Sequence, residues 1–296
     1  MTTLKQMLAD AVAARPEHVA FRYKPGAEWA SMTYLAFQRE VWRVAEQLAA
    51  LGIAPADRVG IFFENSIHWP AVYFGTVGLG AIAVPVDAKL REKEIAHVLR
   101  DSRTTVLVTT ARQYPIIHDI QRKLPDLRHV LMIGDKRLLP IPAEGIEFHD
   151  FDEAVASTSA AALAEGRAYD QRHPAPDDVA SFIYTSGTTG RQKGAMLTHR
   201  NFTANVESCR RTIEIFPEEN FLLVLPLHHA FAFTGNLLLP LACGTTISMV
   251  QSLRTVGENI REVSPSAFIG VPLLVEKMHD RILTNLKKNK LGYFLY

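Results

Sequence analysis

Short runs of apolar and β-branched residues recur along the chain, and most are separated by segments whose apolar residues return every three or four positions. This alternation constrains the fold more than any other feature. A strand that feeds a helix and then another strand builds a parallel sheet covered by helices. Strand-like runs occupy residues 59–63, 82–86, 106–109 and 130–134, and a second series occupies 179–185, 221–225, 245–250 and 266–270. In "TYLAFQREVWRVAEQLAALG" the residues Phe37, Val41, Val44, Leu48 and Leu51 keep one helical face, and Gly52 is placed to end it. "LREKEIAHVLRDS" is a second helical pattern. The expected fold is α/β, with two layered lobes and largely parallel sheets. The stretch "ASTSAAALAEGRAYDQRHPAPDD", residues 156–178, is rich in small residues with prolines late on. It is expected to join a first lobe, residues 1–165, to a second and incomplete lobe, residues 166–296; a surface excursion inside one domain is the alternative.

Composition excludes several classes. Apolar residues make up 48% and charged residues 21% of the 296, and 32 basic residues face 31 acidic ones. That balance offers no electrostatic footprint for nucleic acid. Cys209 and Cys243 are too few for a zinc cluster or a disulfide framework, so a reducing, cytoplasmic setting is expected. The N-terminal "MTTLKQMLADAVAARPEHVA" carries Gln6 and Asp10 inside its apolar stretch and reads as an amphipathic helix with Leu4, Leu8 and Val12 on one side. "AFAFTGNLLLPLAC" is interrupted by Gly235, Asn236 and Pro240 and is too short to span a bilayer.

The segment "YTSGTTGRQKG", residues 184–194, concentrates glycines, hydroxyls and cations after a strand-like run. Gly187, Gly190 and Gly194 allow backbone N–H groups to approach an anion without Cβ interference. Thr185, Ser186, Thr188 and Thr189 add hydroxyls, and Lys193 adds positive charge. The helix-like "THRNFTANVESCRRTI" follows, with Thr198 as its cap and Phe202, Val206, Cys209 and Ile213 on one face. The glycine segment is therefore expected to be a strand-to-helix connection that cradles a polyphosphate. It is not a Walker A loop, because Lys193 is followed by Gly194 and not by a hydroxyl. "GLGAIA", residues 78–83, fits a dinucleotide pattern on paper but follows a helix and precedes a strand, the reverse of that fold.

"YTSGTTGRQKG" resembles the signature phosphate loop of the adenylate-forming enzymes, which include acyl-CoA synthetases, firefly luciferase and peptide-synthetase adenylation domains. Gln192 stands where that family usually carries proline, a departure expected to loosen the loop. "WASMTYLAF", "GIAPADRVGIFFENSIHWPAVYFGTVGLGAIAVPVDAKL" and "EIAHVLRDS" resemble the family's N-terminal lobe, with Ala56 in place of a common glycine. "LPLHHAF" resembles its next motif, and "GVPLLVEKM" is similar to the fatty acyl-CoA synthetase branch.

The resemblance implies a two-step ligase. A carboxylate, expected to be a medium- or long-chain fatty acid, attacks the α-phosphorus of MgATP to give acyl-AMP, and a thiol, usually of CoA, displaces AMP. By the same resemblance, residues 185–190 and Lys193 hold nucleotide phosphates, Thr185 is a Mg2+ ligand, His229 meets the carboxyl region and Phe231 lies by the acyl pocket. His229 and Lys193 are thus the expected catalytic pair. Without the resemblance, His228 and His229 read equally as polar residues at a strand end, Phe231 as core, and Lys193 as the partner of a carboxylate. An aromatic-acid ligase and a non-catalytic nucleotide- or acyl-binding protein are the competing readings.

The family's later motifs and its lysine-bearing C-terminal domain have no match here, so this chain is expected to be an N-terminal portion, inactive alone. Lys287, Lys288 and Lys290 match none of them, and "KKNKLGYFLY" leaves Leu291, Tyr293, Phe294, Leu295 and Tyr296 to be covered by further chain, by a partner or by a membrane surface.

Overall fold

The computed structural model describes residues 2–134, 144–158, 167–186 and 191–288. The strands among the described residues are β1 Val19–Tyr23, β2 Ala30–Thr33, β3 Arg58–Phe62, β4 Ile82–Pro85, β5 Val106–Thr110, β6 His129–Ile133, β7 Glu147–Asp150, β8 Val179–Ser186, β9 Gln192–Thr198, β10 Asn220–Leu223, β11 Thr246–Met249 and β12 Ala267–Phe268. The main helices between them are α1 Leu4–Ala14, α2 Tyr34–Ala50, α3 His68–Gly78, α4 Glu92–Asp101, α5 Tyr114–Ile120, α6 Phe151–Ser157, α7 Ala168–Gln171, α8 His199–Thr212, α9 Ala230–Phe233, α10 Leu239–Ala242, α11 Val256–Val263 and α12 Pro272–Lys288. Local chemistry accounts for their starts. Thr3, Thr33 and Thr198 cap α1, α2 and α8 by accepting the N–H groups of Gln6, Ala36 and Asn201. Gly52, at φ 82, reverses the chain just after α2, as its position predicted.

The strands form two sheets, a seven-stranded one ordered β7-β6-β5-β3-β4-β8-β9 and a five-stranded one ordered β12-β10-β11-β1-β2. Every pairing is parallel except β1 with β2 and β8 with β9. The largely parallel α/β fold expected from the alternation is therefore present. β4 and β11 are buried along their whole length, as strands covered on both faces must be. Helices α1 to α3 share one core with strands of both sheets, and Phe21, Phe37 and Phe74 form an edge-to-face chain through it. A second core lies under α4 and α5.

The division expected at residue 165 does not separate the two sheets. β1 and β2 come from the first half, yet β1 lies beside β11 with β2 at its outer side; β8 and β9 come from the second half, yet β8 lies beside β4 with β9 at its outer side. A two-stranded ribbon has too little apolar face to stand alone, so each pair joins a larger sheet that buries it. The apolar segment 230–243 is α9, a π-helical turn at Thr234–Leu238 and α10, and its Phe233, Leu237, Leu238 and Leu241 are fully buried core residues. No helix among the described residues is long and apolar enough to cross a membrane. The apolar residues 291–296 lie outside the described residues.

Candidate functional site

The glycine segment is not the strand-to-helix turn that its sequence suggested. Residues 192–198 form β9, which pairs antiparallel with β8 from Ser186↔Gln192 back to Val179↔Thr198. The segment is thus the connection of a β-hairpin, and α8 begins only at the far end of β9. The segment "QKGAMLT" has no strict apolar alternation that would mark it as a strand; its strand state comes from pairing with β8, and Met196 is 67% exposed there. The N-terminus of α8 is already occupied by the reciprocal cap of Thr198 and Asn201. Any anion held by the segment must use loop backbone, hydroxyls and Lys193 instead.

Thr185 and Lys193 are register partners across the hairpin, and both are exposed. Gly187, Thr188, Thr189 and Gly190 lie outside the described residues, as does the side chain of Ser186. The end of the hairpin stem next to the connection is fastened to α4. The Tyr184 hydroxyl donates to Asp101 Oδ2 at 2.7 Å, and His97 Nε2 meets the Gln192 carbonyl oxygen at 2.8 Å. Burial, reinforced by Asp101, pushes the Tyr184 phenol upward, so it stays a donor at neutral pH. Gly194 lies beneath the same ring, where an added Cβ would sit 3.0 Å from Tyr184 Cζ. Gln192 makes its bond through the main chain, so the proline common in similar loops would keep that contact.

His228 and His229 lie on the loop between β10 and α9. The side chain of Asn65, just past β3, fixes this loop by donating to the Leu225 carbonyl at 2.9 Å and accepting the Leu227 N–H at 3.0 Å. His228 Nε2 stands 3.4 Å from Asp87 Oδ2 and 3.1 Å from His229 Nε2. The hydrogen bond from His228 holds the Asp87 carboxyl at about 2, helped by the Lys89 N–H at 2.9 Å. Burial and the neighbouring His228 lower His229, so it is a neutral imidazole near pH 7 despite Asp87. The His229 carbonyl accepts the Phe233 N–H at 2.8 Å and thereby starts α9. Phe233 is buried against Trp69, Tyr73 and Phe202, whereas Phe231 is 64% exposed.

The sheet order brings these parts to one end. β4 and β8 are parallel neighbours through Ala83↔Ser181, and Ser181 Oγ donates to the Ala83 carbonyl at 2.9 Å. Asp87 follows the C-terminal end of β4, and the glycine segment follows the C-terminal end of β8. The chain leaves β4 for β5, beyond β3, and leaves β8 for β9 in the opposite direction. Strands whose outgoing connections diverge open a crevice at their carboxyl ends, where ligands bind in open α/β sheets. Among the described residues, no hydrogen bond or ion pair joins Thr185 or Lys193 to His228 or His229. Asp87 and Asn65 were missed from sequence; the available signal was a polar residue just beyond a predicted buried strand. A cleft of about 1170 Å3 lies elsewhere, lined by α1, α8 and residues such as Arg172 and Pro176. It includes none of the expected site residues, and the Lys5 ammonium on its wall is engaged by the carbonyls of Tyr169 and Arg172.

Residues 8–293 match the model of the family described as AMP-binding enzyme. The chain is 27% identical to a long-chain-fatty-acid–CoA ligase of Gallus gallus over 95% of its own length and 37% of the relative. It is 28% identical to a crotonobetaine/carnitine–CoA ligase of Salmonella arizonae, over 93% of this chain and 52% of that one. The solved anthranilate CoA ligase AuaEII, in complex with anthranoyl-AMP, superposes with a TM-score of 0.78 at 25% identity, over 92% of this chain and 50% of that one. The chain thus spans about half or less of the length of these three proteins. The match across nearly all of its length, on a fold that sets the glycine hairpin at the diverging strand ends, shows that this chain belongs to the AMP-binding enzyme family.

Proposed function

We propose that this chain supplies the nucleotide-phosphate and carboxylate sides of an AMP-forming acid–thiol ligase, acting on a medium- or long-chain fatty acid. The observation that carries the reading is the position of the β8–β9 hairpin, whose Ser186↔Gln192 rung lies toward the end of the sheet where Asp87 follows β4 and meets His228. Lys193 and the loop N–H groups would neutralise charge on the phosphates of ATP, and positioning would supply most of the rate. Mg2+ takes oxygen ligands and travels with nucleotide phosphates. The exposed Thr185 hydroxyl at the end of β8 fits as one such oxygen, and the ion would spread the negative charge of the phosphoryl groups. His229, kept neutral and set on a loop clamped by Asn65, would donate a hydrogen bond to the carboxyl end of the acid. Phe231 would flank the acyl chain with its exposed ring.

The fatty-acid choice is supported by the Gallus gallus relative and by the resemblance around "LPLHHAF" and "GVPLLVEKM". The anthranilate CoA ligase, with its structural match over half its length, favours an aromatic acid as the second reading. CoA is the proposed acceptor, and the site is proposed to lie in the cytoplasm. ATP–pyrophosphate exchange by the folded chain, run with a chain-length series of fatty acids beside aromatic acids, tests this. Exchange with fatty acids supports the lead reading, and exchange with aromatic acids alone replaces it by the second. MgATP binding without exchange fits a chain that holds the phosphate site but lacks further parts of the enzyme. A folded chain that binds no MgATP overturns the proposal.

A further inference from the structure

At the edge of the seven-stranded sheet opposite the glycine hairpin, three potential metal ligands converge. His129 begins β6 and stands in register with Glu147, the first residue of β7. His149 is two residues farther along β7, so its side chain leaves the sheet on the same face as that of Glu147. His129 Nδ1 is 3.2 Å from His149 Nε2 and 3.5 Å from Glu147 Oε2, and His149 Nε2 is 3.8 Å from the same carboxylate oxygen. Ligand atoms about 2.0–2.1 Å from a tetrahedral ion are separated by roughly 3.3 Å, which this triangle already approximates. Both imidazoles are half-buried while the carboxylate is 70% exposed, leaving a side open for water as a fourth ligand.

We propose that His129, Glu147 and His149 bind a Zn2+ ion that staples the short edge strand β7 to β6. Two imidazole nitrogens and a carboxylate oxygen are a donor set suited to zinc. An edge strand of four residues carries few ladder bonds of its own, and an ion held jointly by both strands would restrain it. The site lies at the other end of the strand order from β8 and β9, so it is independent of the proposed ligase chemistry.

Titration of the purified, metal-free chain with Zn2+, and separately with Co2+, tests the assignment. One Zn2+ per chain is expected, with a raised melting temperature, and bound Co2+ should give the intense visible bands of a four-coordinate ion. H129Q and H149Q should each weaken binding at least tenfold. E147Q changes an exposed side chain without disturbing packing, and it should also weaken binding while the zinc-free melting temperature stays unchanged. H228Q, at the other histidine pair, should bind as the parent chain does. Absence of binding by the folded parent chain overturns the site, as does an affinity unchanged in both H129Q and E147Q. A six-coordinate Co2+ spectrum overturns the proposed geometry.

Discussion

The two outer edges of the seven-stranded sheet are built in opposite ways. β9 is long, antiparallel to its neighbour and exposed at Met196, and it is anchored from behind by buried chemistry. His199, the next residue, is fully buried and accepts the Leu4 N–H on Nδ1 at 3.2 Å, which ties the hairpin's base to α1. β7 is short and parallel to its neighbour, and polar side chains close it. The difference shows how one sheet can end in an antiparallel hairpin at one border and in a short parallel strand at the other. The hairpin stem is held by its ladder and by contacts such as Tyr184 with Asp101. A parallel edge has no turn to offer, and its side chains alone decide what it binds.

The largest expected effect tests the buried anchor. Burial pushes His199 down to about 4 from an ordinary value near 6.5. The unfolded chain therefore binds more protons between those values, and stability present above pH 6.5 is lost as the pH falls toward 4. The full change is about 3 kcal/mol at the conversion of ~1.4 kcal/mol per pH unit. Urea unfolding across pH 4–7 should show this slope, and H199Q should flatten it; an unchanged slope would detach the hairpin from α1 in this account. Next, Lys193→Ala should weaken MgATP binding by about tenfold to a hundredfold, the worth of one charge-assisted hydrogen bond. Its melting temperature should stay the same because the side chain is exposed, so a stability loss without a binding loss would contradict a phosphate role.

Tyr184→Phe removes the bond to Asp101 and should cost about 1 kcal/mol in denaturant unfolding. It should also loosen MgATP binding slightly, which a purely structural bond would not do. The smallest change lies at neither edge. Ala56 has φ 66, in the left-handed region that disfavours a Cβ, at the position where similar chains commonly carry glycine. Ala56→Gly should stabilise by at most about 1 kcal/mol, because glycine's greater unfolded-state freedom offsets part of the relieved strain. An equal or lower midpoint of unfolding would show that the strain is already relaxed.

Much of the architecture was legible because its causes are local. The apolar faces of α1 and α2 follow from side-chain spacing within one helix, and Thr3, Thr33 and Thr198 cap the next turn with their own hydroxyls. The composition around residues 185–194 raised the expectation of phosphate-binding chemistry without any knowledge of the sheet. The boundaries of buried strands such as β3 and β5 were also close, because a run covered on both faces must be apolar throughout.

Tertiary structure alone decided the rest. β9 is a strand because β8 offers it a ladder, a fact absent from residues 192–198 themselves. β1 joins β11, a strand more than two hundred residues away, since pairing partners depend on which apolar faces the collapsed chain can cover. Asp87 gained importance only when His228, far along the chain, came within 3.4 Å of it. The convergence of His129, Glu147 and His149 likewise depends on the register of β6 against β7. Periodicity and capping act over a few bonds and are written in adjacent residues; register, strand order and the meeting of side chains minimise the free energy of the whole chain.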